Sequence, residues 1–402
     1  MTMMVRNEAD VIAPVLDHHL AQGVDLVIVT DNASTDGTTE ILREYQSRGL
    51  VDLRHDSEHR KQQSEVVTTM ARDAYTVHGA DWVINADADE FFLPCDRTLT
   101  LRDALERIPK EIASFTASTV NLVGEPALDG TGLQRLVYRD LRPADVIREK
   151  GLLSQPIPNA IHVGHPDIVV GQGNHLVDLA SLGSPEPGLE IENLHLPWRS
   201  WAQLRRKVEM AGTGYELSPE RIPGPDHHGM RDRGRQHEGS LFAYYLVRHP
   251  LPEELDEGLT RGWLVEERVL ADRLDSPVPD VPLPPETFDE WRRVRPIISR
   301  AETQTLRARQ LAAELEVAQN EGAAARALLE ETDAALAETR RRLDEAEARL
   351  LAERTAHFQT SEHREISAAE LAALQAHLGR LMRRPEVRVT DAARRRLRRL
   401  RG

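Results

Sequence analysis

The sequence predicts an α/β fold: a Rossmann-like domain built on an open, mostly parallel sheet, followed by a helical region and a C-terminal coiled coil. Three observations carry this expectation. Through residues 1–95, amphipathic stretches alternate with short β-branched runs, the pattern of repeated strand–helix units. Two of those runs end in acidic, turn-forming loops, and open α/β sheets take their ligands beyond the carboxyl ends of the strands. Residues 298–360 contain no Pro and repeat leucine at heptad spacing.

Each element has a local cause. Met1–Val5 serves as the first strand and lies almost at the initiator Met, so either this strand is short or the true start lies upstream. Val11 to Gln22 reads as a helix, with Val11, Ile12, Val15, Leu16 and Leu20 on one face and Gly23 as its stop. Asp25–Thr30 is the β-branched run of a buried parallel strand. The loop Asp31–Thr38 is rich in Asp, Asn, Ser and Gly, so it turns the chain and caps a helix from Thr39 to Arg48. A strand Val51–Arg54, a helix from about Ser64 to Val77 and a strand from Asp81 to Ile84 complete the series.

That last strand delivers the densest chemistry, Trp82-Val83-Ile84-Asn85-Ala86-Asp87-Ala88-Asp89-Glu90-Phe91-Phe92. A buried carboxylate is costly without a counter-charge, and a divalent cation is the simplest one. Asp-x-Asp sets two oxygen ligands on one side of an extended segment, an arrangement suited to Mn²⁺ or Mg²⁺ shared with a diphosphate. Taken alone, the short motif reads equally well as a solvated acidic turn.

The series Arg6-Asn7-Glu8, then Asp31-Asn32-x-Ser34-x-Asp36-Gly37-Thr38, then Asp87-x-Asp89-Glu90-Phe91 resembles glycosyltransferase family 2, whose enzymes have the GT-A fold. It is most similar to the family-2-like branch that opens on Met-Val-Arg-Asn-Glu. The resemblance is firm over about residues 3–95, looser to about 215 and absent beyond. It implies an enzyme of hexosyltransferase type that uses a nucleotide-diphosphate sugar and Mn²⁺ or Mg²⁺. The transfer is usually inverting, and the acceptor would be a glycan or lipid-linked hydroxyl in cell-surface glycan or glycoconjugate synthesis. Residue by residue, it implies that Asp31 meets the nucleobase or ribose, with Arg6, Asn7, Glu8 and Asn32 close to the nucleoside. Asp36 and Ser34 hold the nucleotide or simply cap the helix. Asp87 and Asp89 hold the metal and diphosphate, and Glu90 is a third acid or an orienting residue. Arg60 and Lys61 would contact the diphosphate.

The middle of the chain adds further candidates. Gly171–Val177 reads as a turn leading into a short strand, with His175 over the acceptor pocket. The stretch Glu190–Ser200 is a strand that meets Pro197, and a basic helix Trp201–Val208 follows. The family-2-like branch has a similar His-x-Pro-x-Arg-Ser, which makes His195 the late histidine ligand of the metal; a structural role before Pro197 is the alternative. Arg199 and Lys207 would neutralise the leaving diphosphate. The carboxylate that accepts the acceptor's proton has no clear counterpart here. Glu125, Glu149 and Glu192 qualify by position, and Glu192 joins Asp89 and Glu90 as the catalytic carboxylates expected. His227 and His228 sit in a Gly/Pro-rich loop, a lid or a plain surface loop.

Composition bounds the remainder. The lone cysteine, Cys95, excludes an intramolecular disulfide and fits a reducing cytosol. No apolar run approaches the ~20 residues of a spanning helix, and the chain opens in strand-like sequence with no signal peptide, so a cytoplasmic protein is expected. A net charge of −15 argues against nucleic acid as partner. The charge is uneven: residues 381–402 hold nine Arg against Glu386 and Asp391. That tail reads as a peripheral contact with the inner face of the plasma membrane, or as a solvated segment.

The expected organisation is a GT-A domain over 1–215, a helical and Pro-rich extension and linker over 216–297, a coiled coil over 298–360 and a basic helical tail over 361–402. Trp263 and Trp291 fall in helix-like stretches, and Pro277–Pro285 reads as linker. Leu315, Leu329, Leu336, Leu343 and Leu350 occupy one heptad core position, and Leu311, Ala318, Ala325, Thr332, Thr339 and Ala346 the other, with Gly322 interrupting. This pattern predicts self-association as a dimer; a single solvated helix is the alternative. A catalytically inactive GT-A scaffold assembled through its coiled coil is the competing function. A nucleotidyltransferase ranks last, because Arg6-Asn7-Glu8-Ala9-Asp10 stands where a Gly-rich basic loop is needed.

Overall fold

The computed structural model describes residues 1–57, 63–152, 156–216, 228–356 and 362–384. It contains two units, Met1–Arg307 and Ala308–Gly402.

The first unit opens with β1 (Thr2–Val5), α1 (Ile12–Ala21), β2 (Val27–Asp31), α2 (Thr38–Ser47), β3 (Val51–His55), α3 (Gln63–Thr76) and β4 (Trp82–Ala86). These are the elements expected from the sequence, and they pair in the order β3-β2-β1-β4 with every pair parallel. β2 is buried along its whole length because helices cover both faces. Val27 and Val29 pack in the core formed with Val15 and Leu16 of α1 and Leu42 of α2, while Ile28 turns to Val67, Met70 and Ala71 of α3.

Beyond β4 the sheet is mixed. The unit continues with β5 (Glu90–Pro94), α4 (Leu101–Arg107), β6 (Ser114–Val123), β7 (Ala127–Asp129), β8 (Tyr138–Asp140), α5 (Ala144–Glu149), β9 (Asn159–Val163) and β10 (Ile191–His195). β9 lies between β4 and β6 and runs antiparallel to both, whereas β10 runs antiparallel to β5 and parallel to β6. Parallel pairing needs long crossovers, usually helical, and this stretch supplies mainly turns and irregular loops. A mostly parallel sheet therefore describes the N-terminal strands and not the C-terminal ones.

After β10 come α6 (Trp201–Glu216), α7 (His228–Glu238), α8 (Leu241–Arg248), α9 (Pro252–Arg261), β11 (Leu264–Glu266), β12 (Val281–Pro282) and α10 (Pro285–Ala356). Leu204 and Val208 of α6 pack with Tyr245 of α8 and Trp291 of α10. Trp201 meets Phe242 edge-on with ring centroids 5.0 Å apart, and the Arg248 guanidinium lies 4.0 Å from the centre of the Trp198 ring. The extension at 216–297 is thus part of the first unit. Its Pro-rich stretch is tied down as well: β12 pairs with β7, and the Thr131 N–H donates to the Val278 carbonyl at 3.1 Å. Trp263 stands outside a helix, because Gly262 takes a left-handed conformation (φ 69°) and ends α9.

In the second unit, α10 continues and α11 (Glu362–Leu381) follows. Leu329, Thr332, Leu336, Thr339, Leu343, Ala346 and Leu350 form a partly shielded stripe at alternating three- and four-residue spacing, and Leu371, Leu374, Leu378 and Leu381 repeat that spacing on α11. Leu311 and Leu315 stay exposed, at 55% and 59%. No helix among the described residues is long and apolar enough to cross a membrane.

Candidate active site

The loops after β1 and β2 are knitted together at the carboxyl edge of the sheet. Arg6 donates to the Asn32 carbonyl at 2.8 Å. The Asn7 N–H donates to Ser34 Oγ at 3.0 Å, and the Thr35 N–H donates to Asn7 Oδ1 at 2.8 Å. Asp36 accepts from the Ala9 N–H and from the N–H and hydroxyl of Thr38, so it ties the loops and starts α2. Asp31 is buried and accepts from the Ser34 N–H at 3.0 Å and from the Thr39 hydroxyl, an Asx turn that shapes the same loop. Six expected nucleotide contacts, Arg6, Asn7, Glu8, Asp31, Asn32 and Asp36, therefore share one rim. Lys61 and Arg60 lie outside the described residues.

The acids after β4 meet cations carried by β10 and α6. Asp89 is 2% exposed. Lys207 Nζ donates to its Oδ2 at 2.9 Å, Arg199 Nη1 stands 3.7 Å from the same oxygen, and His195 Nε2 stands 3.6 Å from Oδ1. Burial alone would push this carboxyl up; Lys207, His195 and Arg199 outweigh it and hold Asp89 well below the usual carboxylate range. Arg199 is fully buried and also bridges Glu8 at 2.5 Å and Asp10 at 3.0 Å. Its Nη1 has no hydrogen-bond partner among the described residues and faces Asp89. Asp87 is pushed up, first by burial and then by Asp89.

A set of amides holds the acids from the other side. Gln63 and Asn174 both donate to Asp87 Oδ1, at 2.8 Å and 3.1 Å. Asn174 is buried in a left-handed conformation (φ 63°) just after Gly173 (φ 75°), and its Oδ1 lacks a hydrogen-bond partner among the described residues. Glu90 accepts from the Asp87 N–H at 3.0 Å, and the Asn159 amide nitrogen donates to both of its oxygens, at 2.7 Å and 2.8 Å. Burial, then the charge of Asp87, pushes the Glu90 carboxyl up to about 7.

The side chains present fit a hard divalent cation by donor type. His195 Nδ1 is 3.0 Å from Asn121 Oδ1, which anchors one ring nitrogen and turns Nε2 to a carboxylate oxygen of Asp89. A histidine ligand with its other nitrogen anchored is the usual metal arrangement. Among the described residues no three His, Cys, Asp or Glu side chains already converge as a cage. Asp87, Asp89 and His195 would hold the ion, and a diphosphate would supply further oxygens.

Glu192 is not brought to this cluster. It stands three residues from His195 on β10, and alternation turns it to the opposite face. There Arg139 grips both of its oxygens, at 2.6 Å and 2.8 Å, and Arg97 reaches it at 2.5 Å, with Glu267 completing the ring. Burial would push its carboxyl up, but the two arginines prevail and hold it below the usual range. Such a carboxylate is a poor base. Glu192→Gln is expected to cost about 1–2 kcal/mol and roughly 2–6 °C in Tm, since it leaves two half-buried arginines with only Glu267 to share. Nucleotide binding should not change; lost turnover at an unchanged Tm would restore Glu192 as the base. Glu125 and Glu149 are exposed and are not candidates by burial. Asn121, Asn159, Asn174 and Gln63 had no signal in the sequence, because amides show neither periodicity nor charge pattern.

Residues 1–121 match the model of glycosyltransferase family 92. This supports a glycosyltransferase; the matching family is 92, and not the family 2 that the motifs resemble. No curated protein matches the chain. Among solved structures, that of S. aureus TarS 1–349 is 12% identical, with 75% of this chain and 86% of that chain covered and a TM-score of 0.31. The complex of S. aureus TarS 1–349 with UDP-GlcNAc gives 13% identity, coverage of 75% and 87%, and a TM-score of 0.31. Scores this low carry no weight for fold or ligand.

Proposed function

We propose that this protein is a glycosyltransferase that moves a sugar from a nucleotide-diphosphate donor to an acceptor hydroxyl, with inversion, using Mn²⁺ or Mg²⁺ at Asp87, Asp89 and His195. The observation that carries the reading is the convergence of His195, Arg199 and Lys207 on one buried carboxylate at the carboxyl edge of the sheet. When bound, the ion would offset charge that develops on the departing diphosphate. Lys207 and Arg199 offer fixed positive charge at the same place, and Arg suits two-point contact with phosphate. The rim of Arg6, Asn7, Asp31 and Asn32 would receive the nucleoside.

The same reading extends to the rest of the chain. The exposed Leu311 and Leu315 would join a second copy in a coiled coil. The basic tail, beyond the described residues, would rest on anionic lipid at the cytoplasmic face, near a glycan or lipid-linked acceptor.

Thermal unfolding with a panel of nucleotide sugars, with and without Mn²⁺, tests the core of this. A uridine- or guanosine-diphosphate sugar at a hundredfold excess over its Kd should raise Tm by about 5 °C. Asp89→Asn should remove the metal-dependent part and lower turnover by about 10²–10³-fold. A shift of equal size without metal retires the Asp87–Asp89–His195 assignment. Nucleotide binding without turnover on any acceptor marks the inactive scaffold, and no nucleotide binding ends the transferase reading.

A further inference from the structure

Two cations approach one carboxylate oxygen in the acid cluster. Lys207 Nζ stands 2.9 Å from Asp89 Oδ2, and Arg199 Nη1 stands 3.7 Å from the same atom. Arg199 is fully buried and is anchored through Nε and Nη2 by Asp10 and Glu8, yet its Nη1 has no hydrogen-bond partner among the described residues. A buried nitrogen without a partner is costly, and the oxygen it faces is the one Lys207 holds. Lys207 is the accessible member of the trio: its side chain is 48% exposed, against 2% for Asp89. An ammonium on a flexible four-carbon stem can leave, whereas a guanidinium tied at two nitrogens stays.

The helix that carries Lys207 also shows where the ammonium can go. Met210 lies one turn further along the same face of α6, and the Asn7 amide nitrogen donates to its Sδ at 3.1 Å. One stretch of α6 therefore touches both the acids and the rim that includes Asn7. The step from Lys207 to Met210 is about 4.5 Å of helix. A diphosphate that joins a nucleoside on that rim to an ion on those acids runs along this stretch, within reach of the Lys207 ammonium.

We propose that Lys207 is a transferable counter-charge, which gives up Asp89 and moves to the diphosphate as donor and ion bind, while Arg199 Nη1 takes its place on Asp89 Oδ2; this rests on the metal-dependent transfer reading above. The consequence is coupling between the two ligands. A divalent ion on Asp89 repels the ammonium, and with no other anion to receive it that charge works against the ion. A diphosphate supplies the anion. Ion and nucleotide therefore raise each other's affinity, by the same factor in both directions.

Lys207→Gln and Lys207→Met in the full chain test this, with Mn²⁺ and UDP as the probes. Gln keeps a hydrogen-bond donor for Asp89 without the charge. Mn²⁺ binding is read from the electron paramagnetic resonance of the free ion, with and without UDP. In the parent, UDP should tighten Mn²⁺ binding by about tenfold or more. In both variants Mn²⁺ alone should bind about tenfold more tightly than in the parent, and UDP should then tighten it by no more than about threefold. A lysine that stayed on Asp89 would shift both affinities and leave the coupling as in the parent, and that result overturns the proposal. So does a parent in which UDP leaves Mn²⁺ binding unchanged. Either result leaves the donor reading standing. A parent that binds UDP but no Mn²⁺ removes the metal reading and this proposal with it, and one that binds no UDP removes the transferase reading as well.

Discussion

Between pH 7 and pH 5 the protein is expected to lose about 1–2 kcal/mol of stability per pH unit. Four histidines are buried where desolvation disfavours the charged ring, and two of them have both ring nitrogens engaged. His19 donates through Nδ1 to the Val15 carbonyl while its Nε2 accepts from the Phe92 N–H, and His162 donates to the Val163 carbonyl while its Nε2 accepts from Asn85. His18 donates to the Phe92 carbonyl and His249 to the Gly124 carbonyl. Burial brings His18 and His162 down to about 4 and holds His19 and His249 well below the ordinary imidazole value. Because the folded values are depressed, their contribution is complete above about pH 6.5, where the unfolded chain is neutral too, and is lost as pH falls toward 4. Glu8 and Glu90, pushed up to about 7, work in the opposite sense by binding protons in the folded state. The histidines outnumber them, which sets the sign. Urea unfolding at pH 7, 6 and 5 measures the slope. A flat profile would show that these imidazoles are not held neutral.

Arg199→Met is expected to cost about 3–5 kcal/mol at pH 7. The substitution keeps much of the side-chain volume but leaves Glu8, Asp10 and Asp89 facing one another with a single close cation, Lys207, among the described residues. A drop of roughly 10 °C in Tm follows from that figure. The penalty comes from ionised acids, so the gap between parent and variant should narrow as pH falls and those acids take up protons. Asp89 gives the sign for the parent: its folded value is depressed, so its stabilisation is present above the ordinary carboxylate range and lost only in strong acid. A variant whose deficit is the same at pH 7 and pH 5 would point to lost packing.

The N-terminal elements were legible because their causes are local: β-branched runs, apolar residues at helical spacing, and Asp, Asn and Gly in the turns. Asp87, Asp89, His195 and Arg199 could be picked out as charged residues next to strands. Their convergence could not, since Arg199 meets Glu8 across 191 residues of chain. The place of β9 between β4 and β6 is equally remote from any local pattern. Glu192 shows a signal that was present and overlooked: an odd spacing from His195 along a strand already puts the two on opposite faces. The heptad over 298–360 correctly marked a long helix, but spacing alone does not say whether the same chain or another copy fills the seam.

Trp198 and Trp201 stand on either side of Arg199, one beneath the Arg248 guanidinium and the other against Phe242. Indole emission depends on the charges and rings around it. Any molecule that draws Arg199 or Lys207 toward itself would shift α6 under both indoles and alter their fluorescence. Occupancy could then be followed in real time by intrinsic light, with no dye attached and no coupled assay.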